Sequence, residues 1–354
     1  MTLRASLSLG IRKVNRTKRL VVFAWSVNVL LALVVAGPML KALDESIAPT
    51  VMEEQLLDQL DVNWFETFKA DHPHNEIVRM FGYSILGAAP FYEQLDALVS
   101  GRVVKALGGF LGGLLFEFRV RPEHLDIASV LMLMYVLAWT YLSGGFVGVY
   151  AREHRSSFTE FLQLGAHYFG KFFRLALIQM VLYGLLFGLL VQWVSTSIRV
   201  WTAQEPSEAT AFLYMMVRNV ITVLLVGLIT LCFDYAKIRM VVESRVSALA
   251  ALGAGVRFVV KHPLRTVMLA MSLAALGVAC AAVFVVLEAQ LRQSSFWMIL
   301  AVFVLQQLYV WSRQWLRAAF YAAQTALYQG SVTEVQGATV QATTGPHHKD
   351  RQHE

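Results

Sequence analysis

The chain has 354 residues, of which 57% are hydrophobic and 15% are charged, and its formal net charge is +6. A mean hydropathy of +0.55 leaves too little polar surface for a water-soluble body, which excludes an ordinary soluble domain. The positive charge is explained below by membrane topology and contact with anionic lipid. We therefore expect no binding of nucleic acid.

Six apolar segments are long enough to cross a bilayer as helices. A hydrocarbon core about 30 Å thick requires roughly 20 mainly apolar residues of helix. The six predicted spans are residues 20–42, 126–150, 172–194, 212–236, 264–288 and 296–318, and the last helix is expected to continue to residue 322. Because the backbone in lipid must satisfy its own hydrogen bonds, these runs predict an all-α polytopic transmembrane helical bundle.

The distribution of Lys and Arg predicts the orientation. Residues 1–19 carry six basic residues and no acidic residue, and form a predicted basic cytoplasmic N-terminus. The connections after the second and fourth spans, and the segment after the sixth, are also basic. Both termini are therefore expected in the cytoplasm. The first apolar run is too long for a secretory signal and is expected to be retained.

Residues 43–125 form the one large predicted extramembrane region, a periplasmic loop domain. Apolar positions at helical spacing predict an amphipathic helix within 51–69, which the segment 71–75 ends. Residues 77–116 are apolar but rich in glycine. An interfacial or re-entrant element is favoured there, with a helix covering the bundle or an additional span as alternatives.

His72, His74 and Glu76 are weak candidates for a metal site in this loop. Imidazole and carboxylate groups are ligands for a borderline ion such as zinc. No second pair of ligands is visible, so a solvated loop that ends the helix is favoured and no cofactor is expected. Residues 330–354 are a polar cytoplasmic tail in which disorder is expected.

Arg218 and Asp234 are the charged residues at the boundaries of the fourth span. A charge in the bilayer is costly, which makes both residues functional candidates for transport or gating. The favoured interpretation is structural, because both residues can reach water at opposite interfaces. Asp234 can also pair with Lys237, three residues further along the same helix.

A repeat with an offset of 90 residues relates 153–171 to 243–261. Each copy connects two apolar runs, so the sequence predicts two parallel hairpin repeats, residues 126–194 and 212–288, with cytoplasmic amphipathic elbows. Ser157 and Ser247 are predicted to cap the elbow helices. The elbow residues that pair across the repeat are Glu153 with Glu243, Arg155 with Arg245, Ser157 with Ser247, Gly165 with Gly255, and Lys171 with Lys261. A lipid-surface elbow is the favoured interpretation, and docking of a cytoplasmic partner such as an ATPase is the alternative.

Small residues at a spacing of four predict close helix packing. Gly144 and Gly148 lie in the second predicted span, and Gly184 and Gly188 lie in the third. This spacing lets two helix backbones approach closely in a membrane. Packing within the chain is favoured, with a homodimer seam as the alternative.

The stretches 233–239 and 259–263, together with Gly165, Tyr168 and Phe169, resemble a group of uncharacterised bacterial six-helix membrane proteins. The sequence pattern resembles that of the YciC-like proteins and of the membrane domain attached to some glycerophosphodiester phosphodiesterases. The resemblance covers about half of the chain and implies a multi-pass protein of the bacterial inner membrane. It does not carry over phosphodiesterase activity, because the soluble catalytic domain has no counterpart in these residues.

No motif for a nucleophile, a metal protease or a phosphate-binding loop is present in the sequence. We therefore expect a non-catalytic inner membrane protein that is structural, lipid-associated or an accessory subunit of a membrane assembly. The alternative is a permease subunit or small transporter whose elbows dock a partner ATPase. Expected partners are membrane lipids, including anionic headgroups at the cytoplasmic face, and an unidentified protein.

Overall fold

The structure, a computed structural model, describes residues 2–47, 62–73, 127–152, 156–203, 207–243, 247–291 and 295–343. Every regular element in these ranges is a helix, which confirms the predicted all-α class. The elements are α1 (Leu3–Arg16), α2 (Lys18–Ile47), α3 (Val62–Asp71), α4 (Ile127–Tyr150), α5 (Phe158–Leu185), α6 (Gln192–Thr202), α7 (Glu208–Val242), α8 (Ala248–Lys261), α9 (Pro263–Gln290) and α10 (Phe296–Thr343). A π-helical segment, Leu186–Val191, joins α5 to α6.

Five helical stretches in the described part of the chain are long and apolar enough to cross a membrane. They are Leu133–Tyr150, Phe158–Thr202, Ala209–Val242, Pro263–Gln290 and Phe296–Thr333. A sixth is obtained if α1 and the first half of α2, which meet at 73°, count as one bent span. The chain is therefore an integral membrane protein with five or six membrane-capable helices.

The basic N-terminus forms a helix, α1, which the sequence analysis did not predict. The Thr2 hydroxyl caps it by accepting a hydrogen bond from the backbone N of Ala5 at 3.4 Å. Its apolar face is buried along α10, and a Cβ built on Gly10 would lie 2.8 Å from backbone atoms of Ala323. Arg4, Arg12 and Arg16 are exposed, while Lys13 Nζ donates to the carbonyl oxygen of Tyr150 at 2.6 Å and ties α1 to the end of α4.

One end of the bundle holds the packed core. There the last turns of α4 and α7 meet the first turns of α5 and α8, and α1 and α10 close the cluster. Phe146, Phe161 and Tyr235 are buried in this region, which we call the basal core. At the other end large apolar side chains such as Trp193 and Trp297 are exposed. Exposed apolar surface on this scale suits contact with lipid chains.

The last helix is longer than the sequence suggested. α10 continues to Thr343, so residues 330–343 are helical where a disordered tail was predicted, and that prediction was wrong for them. The basal core fixes the start of this extension, because the Gln329 side chain donates to the carbonyl of Ala151 at 2.7 Å and Ser331 is buried. Residues 296–345 contain no proline, so nothing in this stretch interrupts the backbone hydrogen bonds of α10. Residues 344–354 lie outside the described part.

The large loop is described over residues 62–73. α3 covers Val62–Asp71, within and just beyond the segment predicted as an amphipathic helix, and it ends where the sequence predicted a break. Phe68 of α3 is buried. The proposed re-entrant element at 77–116 lies outside the described residues.

Candidate functional site

The two elbows contact their preceding helices in the same way. A Cβ built on Gly165 would lie 3.0 Å from the carbonyl oxygen of Tyr141 in α4. A Cβ built on Gly255 would lie 2.7 Å from the carbonyl oxygen of Cys232 in α7. Only a residue without a side chain permits this approach of two backbones. The repeated glycines are therefore the points at which each elbow rests on the helix before it.

The helix starts also match across the repeat. The Ser157 hydroxyl accepts a hydrogen bond from the backbone N of Glu160 at 3.1 Å, and the Ser247 hydroxyl accepts from that of Ala250 at 3.5 Å. Both predicted caps are confirmed, and each satisfies one backbone donor that a helix start leaves free.

The elbows differ in how they join the following span. In the first copy α5 passes without a break from Phe158 to Leu185, so the elbow and the span are one helix, where the sequence analysis expected a separate elbow. In the second copy α8 ends at Lys261 and α9 starts at Pro263. Position 263 corresponds to Phe173 in the repeat. Proline lacks the backbone N–H that would continue the helix and suits the first helical position, which explains the break.

The outward face of the second elbow combines apolar and basic side chains. Leu249 is 68% exposed, Val260 71% and Leu264 71%, and Val256 also lies on this face. A stripe of exposed basic residues runs beside it: Arg257, Lys261 and Arg265. An exposed apolar stripe next to a cationic stripe is typical of a helix at a lipid surface.

The first elbow has a polar outward face instead. The residues that correspond to Leu249, Val256, Val260 and Leu264 are Thr159, Ala166, Gly170 and Arg174. Part of this elbow is covered by α2, whose Phe23 ring centroid lies 5.0 Å from that of Phe158. An open cavity of about 350 Å³ is lined by Arg152, Glu160, Gln163, Leu164, His167 and Tyr168. Arg152 and Glu160 form an ion pair at its rim.

Of the remaining elbow residues, some contact neighbouring side chains or lie exposed at the surface, and others lie outside the described residues. Glu243 accepts from Arg239 Nε at 2.7 Å and from the Tyr328 hydroxyl at 2.6 Å, which ties the end of α7 to α10. Lys171 Nζ lies 5.7 Å from the ring centroid of Tyr168, and Lys261 is exposed. Glu153, Arg155 and Arg245 lie outside the described residues.

His262, between α8 and α9, is the titratable residue at the break. Partial burial lowers its pKa, and the neighbouring positive charges of Arg265 and Lys261 lower it further. The corresponding residue in the first copy, Phe172, is buried and does not titrate.

Asp234 and Lys237 form an ion pair with an oxygen–nitrogen distance of 3.3 Å, so the predicted pair is confirmed. Both side chains are largely buried, and Lys237 Nζ also lies 5.9 Å from the ring centroid of Tyr321 in α10. Arg218 lies about 24 Å away along α7, at 1.5 Å per residue. Its guanidinium donates to Ser195 Oγ at 2.8 Å and to Asn219, which links α7 to α6.

The four glycines predicted to pack do not behave alike. A Cβ on Gly144 would lie 3.3 Å from Tyr168, and one on Gly148 would lie 3.0 Å from Leu164, so both face α5 closely. A Cβ on Gly184 or Gly188 would meet no atom of the described chain within 4 Å. Close packing within the chain was therefore a wrong prediction for the second pair. This part of the helix contacts α7 through Tyr183, Leu186 and Phe187, and the two glycines lie outside that contact.

The described residues contain no group of three or more His, Cys, Asp or Glu side chains that could hold a metal ion. His72 Nδ1 lies 2.9 Å from the carbonyl oxygen of Phe68, so its ring contacts its own helix end. His74 and Glu76, the other metal candidates, lie outside the described residues.

Sequence reasoning missed Glu288 of α9. Its side chain is 8% exposed, it hydrogen-bonds to Gln306, and its Oε2 has no partner among the described residues. An acid at the last position of a predicted span was the available signal. Its placement at the boundary of 264–288 made it look like an interfacial residue.

Comparison with known proteins adds no family: no protein-family model, curated protein or solved structure matches the chain. The elbows and the charged residues above therefore supply the basis for a functional assignment.

Proposed function

We propose that this chain is a non-catalytic integral protein of a bacterial inner membrane, structural, lipid-associated or accessory to a membrane assembly. The proposal includes the second elbow, α8, lying on the lipid surface at the cytoplasmic face. The exposed apolar stripe of α8, flanked by its basic stripe, is the observation that carries it. Resemblance to YciC-like membrane proteins is part of the proposal and supports the same membrane.

The energetics favour lipid as the neighbour of this stripe. Full burial of one Leu or Val side chain is worth about 1.5–3 kcal/mol relative to exposure. Each Lys or Arg near an anionic leaflet adds about 1 kcal/mol. Three of the four apolar side chains and two of the three basic ones lie on α8, while Leu264 and Arg265 lie in the first turn of α9. All seven favour lipid as the neighbour of this surface.

A permease subunit or small transporter is the second candidate, and the first elbow favours it. Its outward face is polar, and the cavity beside the Arg152–Glu160 pair is open. Such a surface suits a cytoplasmic protein, for instance an ATPase, better than a lipid surface. In that case the elbows would transmit force between the partner and the bundle.

Photo-crosslinking in intact membranes separates the two candidates. A diazirine-bearing amino acid replaces Val260 in one variant and Gly170, the corresponding residue of the first elbow, in the other. We expect phospholipid adducts at position 260 and none at position 170. A stoichiometric ATPase adduct at position 170 would favour the permease candidate. An ATPase adduct at position 260, or reaction there with water alone, would overturn the lipid-surface assignment.

A further inference from the structure

Two exposed arginines lie one helical turn apart on α10, away from the elbows. Arg317 Cζ lies 4.3 Å from the ring centroid of Trp139 in α4, and Nη1 donates to the Tyr135 hydroxyl at 2.8 Å. Arg313 Cζ lies 5.9 Å from the ring centroid of Tyr309. Aromatic contacts thus hold both guanidinium groups while their outer edges stay accessible.

These two charges are not neutralised within the described part of the chain. No described carboxylate lies within 4.0 Å of either guanidinium, and Asp234, whose charge acts on Arg317, is already paired with Lys237. Like charges four residues apart on a helix repel each other. A negatively charged ligand between them would remove this repulsion.

A shallow groove adjoins the arginines. It lies between α2, α4 and α10 and shares Tyr135 and Trp139 with the Arg317 contact. Asn28 and Gln314 provide its polar groups, and Ala24, Val27 and Leu31 its apolar wall. Gln314 is 6% exposed, and its Oε1 has no partner among the described residues. The groove has a volume of about 10 Å³, room for no more than one water-sized group, so a lipid headgroup would lie outside it beside the arginines.

The neighbouring contacts fix this arrangement before a ligand binds. Trp139 hydrogen-bonds to the hydroxyl of Tyr321, which is buried between α4 and α10. The indole plane that supports Arg317 is therefore held in place. Trp and Tyr at this position suit a membrane interface, where one end of the ring is apolar and the other is polar.

We propose that Arg313 and Arg317 bind the phosphodiester of an anionic phospholipid. Guanidinium is planar and presents paired donors that match phosphate oxygens. The interfacial aromatic residues Trp139 and Tyr135 beside Arg317 favour a lipid over free phosphate. This site goes beyond the proposed function, since it lies on α10 and requires neither elbow to contact lipid.

Thermal unfolding of the purified full chain in detergent tests the site. Phosphatidylglycerol is titrated against phosphatidylcholine and inorganic phosphate, and the shift of the unfolding midpoint gives the affinity. We expect phosphatidylglycerol to stabilise the protein, and the double variant Arg313→Gln with Arg317→Gln to weaken its binding at least about tenfold, which is 1.4 kcal/mol or more. Arg199→Gln, which removes an exposed charge from α6, is the matched control and should leave the affinity unchanged.

Arg317→Lys is a conservative second variant that keeps the positive charge but removes the guanidinium group. Its affinity for phosphatidylglycerol is measured in the same way. We expect it to lose most of the affinity, because an ammonium lacks the paired donors. Equal stabilisation of wild type and double variant by phosphatidylglycerol would overturn the site. So would equal stabilisation of the wild type by inorganic phosphate. Lipid crosslinking at position 260 would be unaffected by either result, so the two proposals can fail separately.

Discussion

The two elbows share one duplicated sequence pattern but differ in helix continuity and in their outward faces. Both start at a capping serine and rest on the preceding helix through a glycine. The first then continues into its span, and the second breaks at Pro263. The first presents a polar face partly covered by α2, while the second presents exposed leucine and valine.

The difference shows which parts of the repeat fix structure and which parts can vary. The glycine and the capping serine are the same in both copies, because a larger residue at the glycine would separate two backbones and loss of the serine would leave a backbone donor unsatisfied. The positions that face outward have diverged from Thr159, Ala166 and Gly170 to Leu249, Val256 and Val260. The same scaffold thus presents one surface suited to water or protein and another suited to lipid.

The largest expected effect comes from moving the break into the first elbow. Phe173→Pro places proline inside α5, where it removes a backbone hydrogen bond and clashes with the preceding turn. We expect a loss of unfolding free energy of about 3 kcal/mol or more. Thermal or denaturant unfolding of the purified protein in detergent measures this loss.

Phe173→Ala is the control for that variant. It removes the ring stacked on Phe169, at a centroid distance of 5.9 Å, but keeps the helix continuous. The proline variant should be clearly less stable than the alanine variant. If the two were equally stable, continuity of α5 would not be what distinguishes the elbows.

A smaller effect is expected at the shared glycine. In Gly255→Ala the new Cβ would lie 2.7 Å from the Cys232 oxygen and 2.8 Å from the Ala236 nitrogen, and both are backbone atoms that cannot turn away. We expect a loss of about 1–3 kcal/mol in unfolding free energy. Gly165→Ala should follow with a smaller loss, since its closest contacts at 3.0 Å include the Tyr141 ring.

Gly253→Ala and Gly170→Ala are the matched controls, because neither new Cβ would meet a described atom within 4 Å. Alanine is the better helix former by about 0.5–1 kcal/mol, so both should be neutral or stabilising. An equal loss in Gly253→Ala and Gly255→Ala would mean that the close approach of α8 to α7 does not limit stability.

The smallest effect concerns pH at the second elbow. The pKa of His262 is lowered in the folded protein, so below about pH 6.5 the unfolded state binds more protons than the folded state. The stability that this residue contributes is present above about pH 6.5 and is lost as pH falls through the lowered pKa. His262→Gln should flatten this part of the curve when the unfolding midpoint is followed from about pH 8 to pH 5. Parallel curves for the variant and wild type would contradict the assignment.

The sequence predicted the spans well because membrane helices need long apolar runs. The predicted spans 172–194, 212–236, 264–288 and 296–318 each lie within a membrane-capable helix. Ser157 and Ser247 were predictable as caps from local sequence. The Asp234–Lys237 pair was predictable for the same reason, because three residues on a helix bring two side chains together.

Tertiary contacts account for what the sequence could not predict. Arg317 lies near the end of the last predicted span and looked like a topology signal, because Tyr135, its hydrogen-bond partner, is 182 residues away in the chain. Gly184 and Gly188 show the spacing of a packing motif, but the helix contacts α7 through other residues and leaves these two glycines open. The extension of α10 past Gly330 depends on contacts with Ala151 and Glu243 that no local pattern contains.

The packing of α1 along α10 also governs when the protein can finish folding. Trp315 Nε1 donates to Asn15 Oδ1 at 3.1 Å, a contact between residues 300 positions apart. At a synthesis rate of about 5–20 residues per second, α1 is exposed for roughly 15–60 s before the ribosome releases its neighbour. During that time α1, amphipathic and basic, has the membrane surface as its available support. α1 therefore reaches its final place late, because it is made 300 residues before its contact in α10.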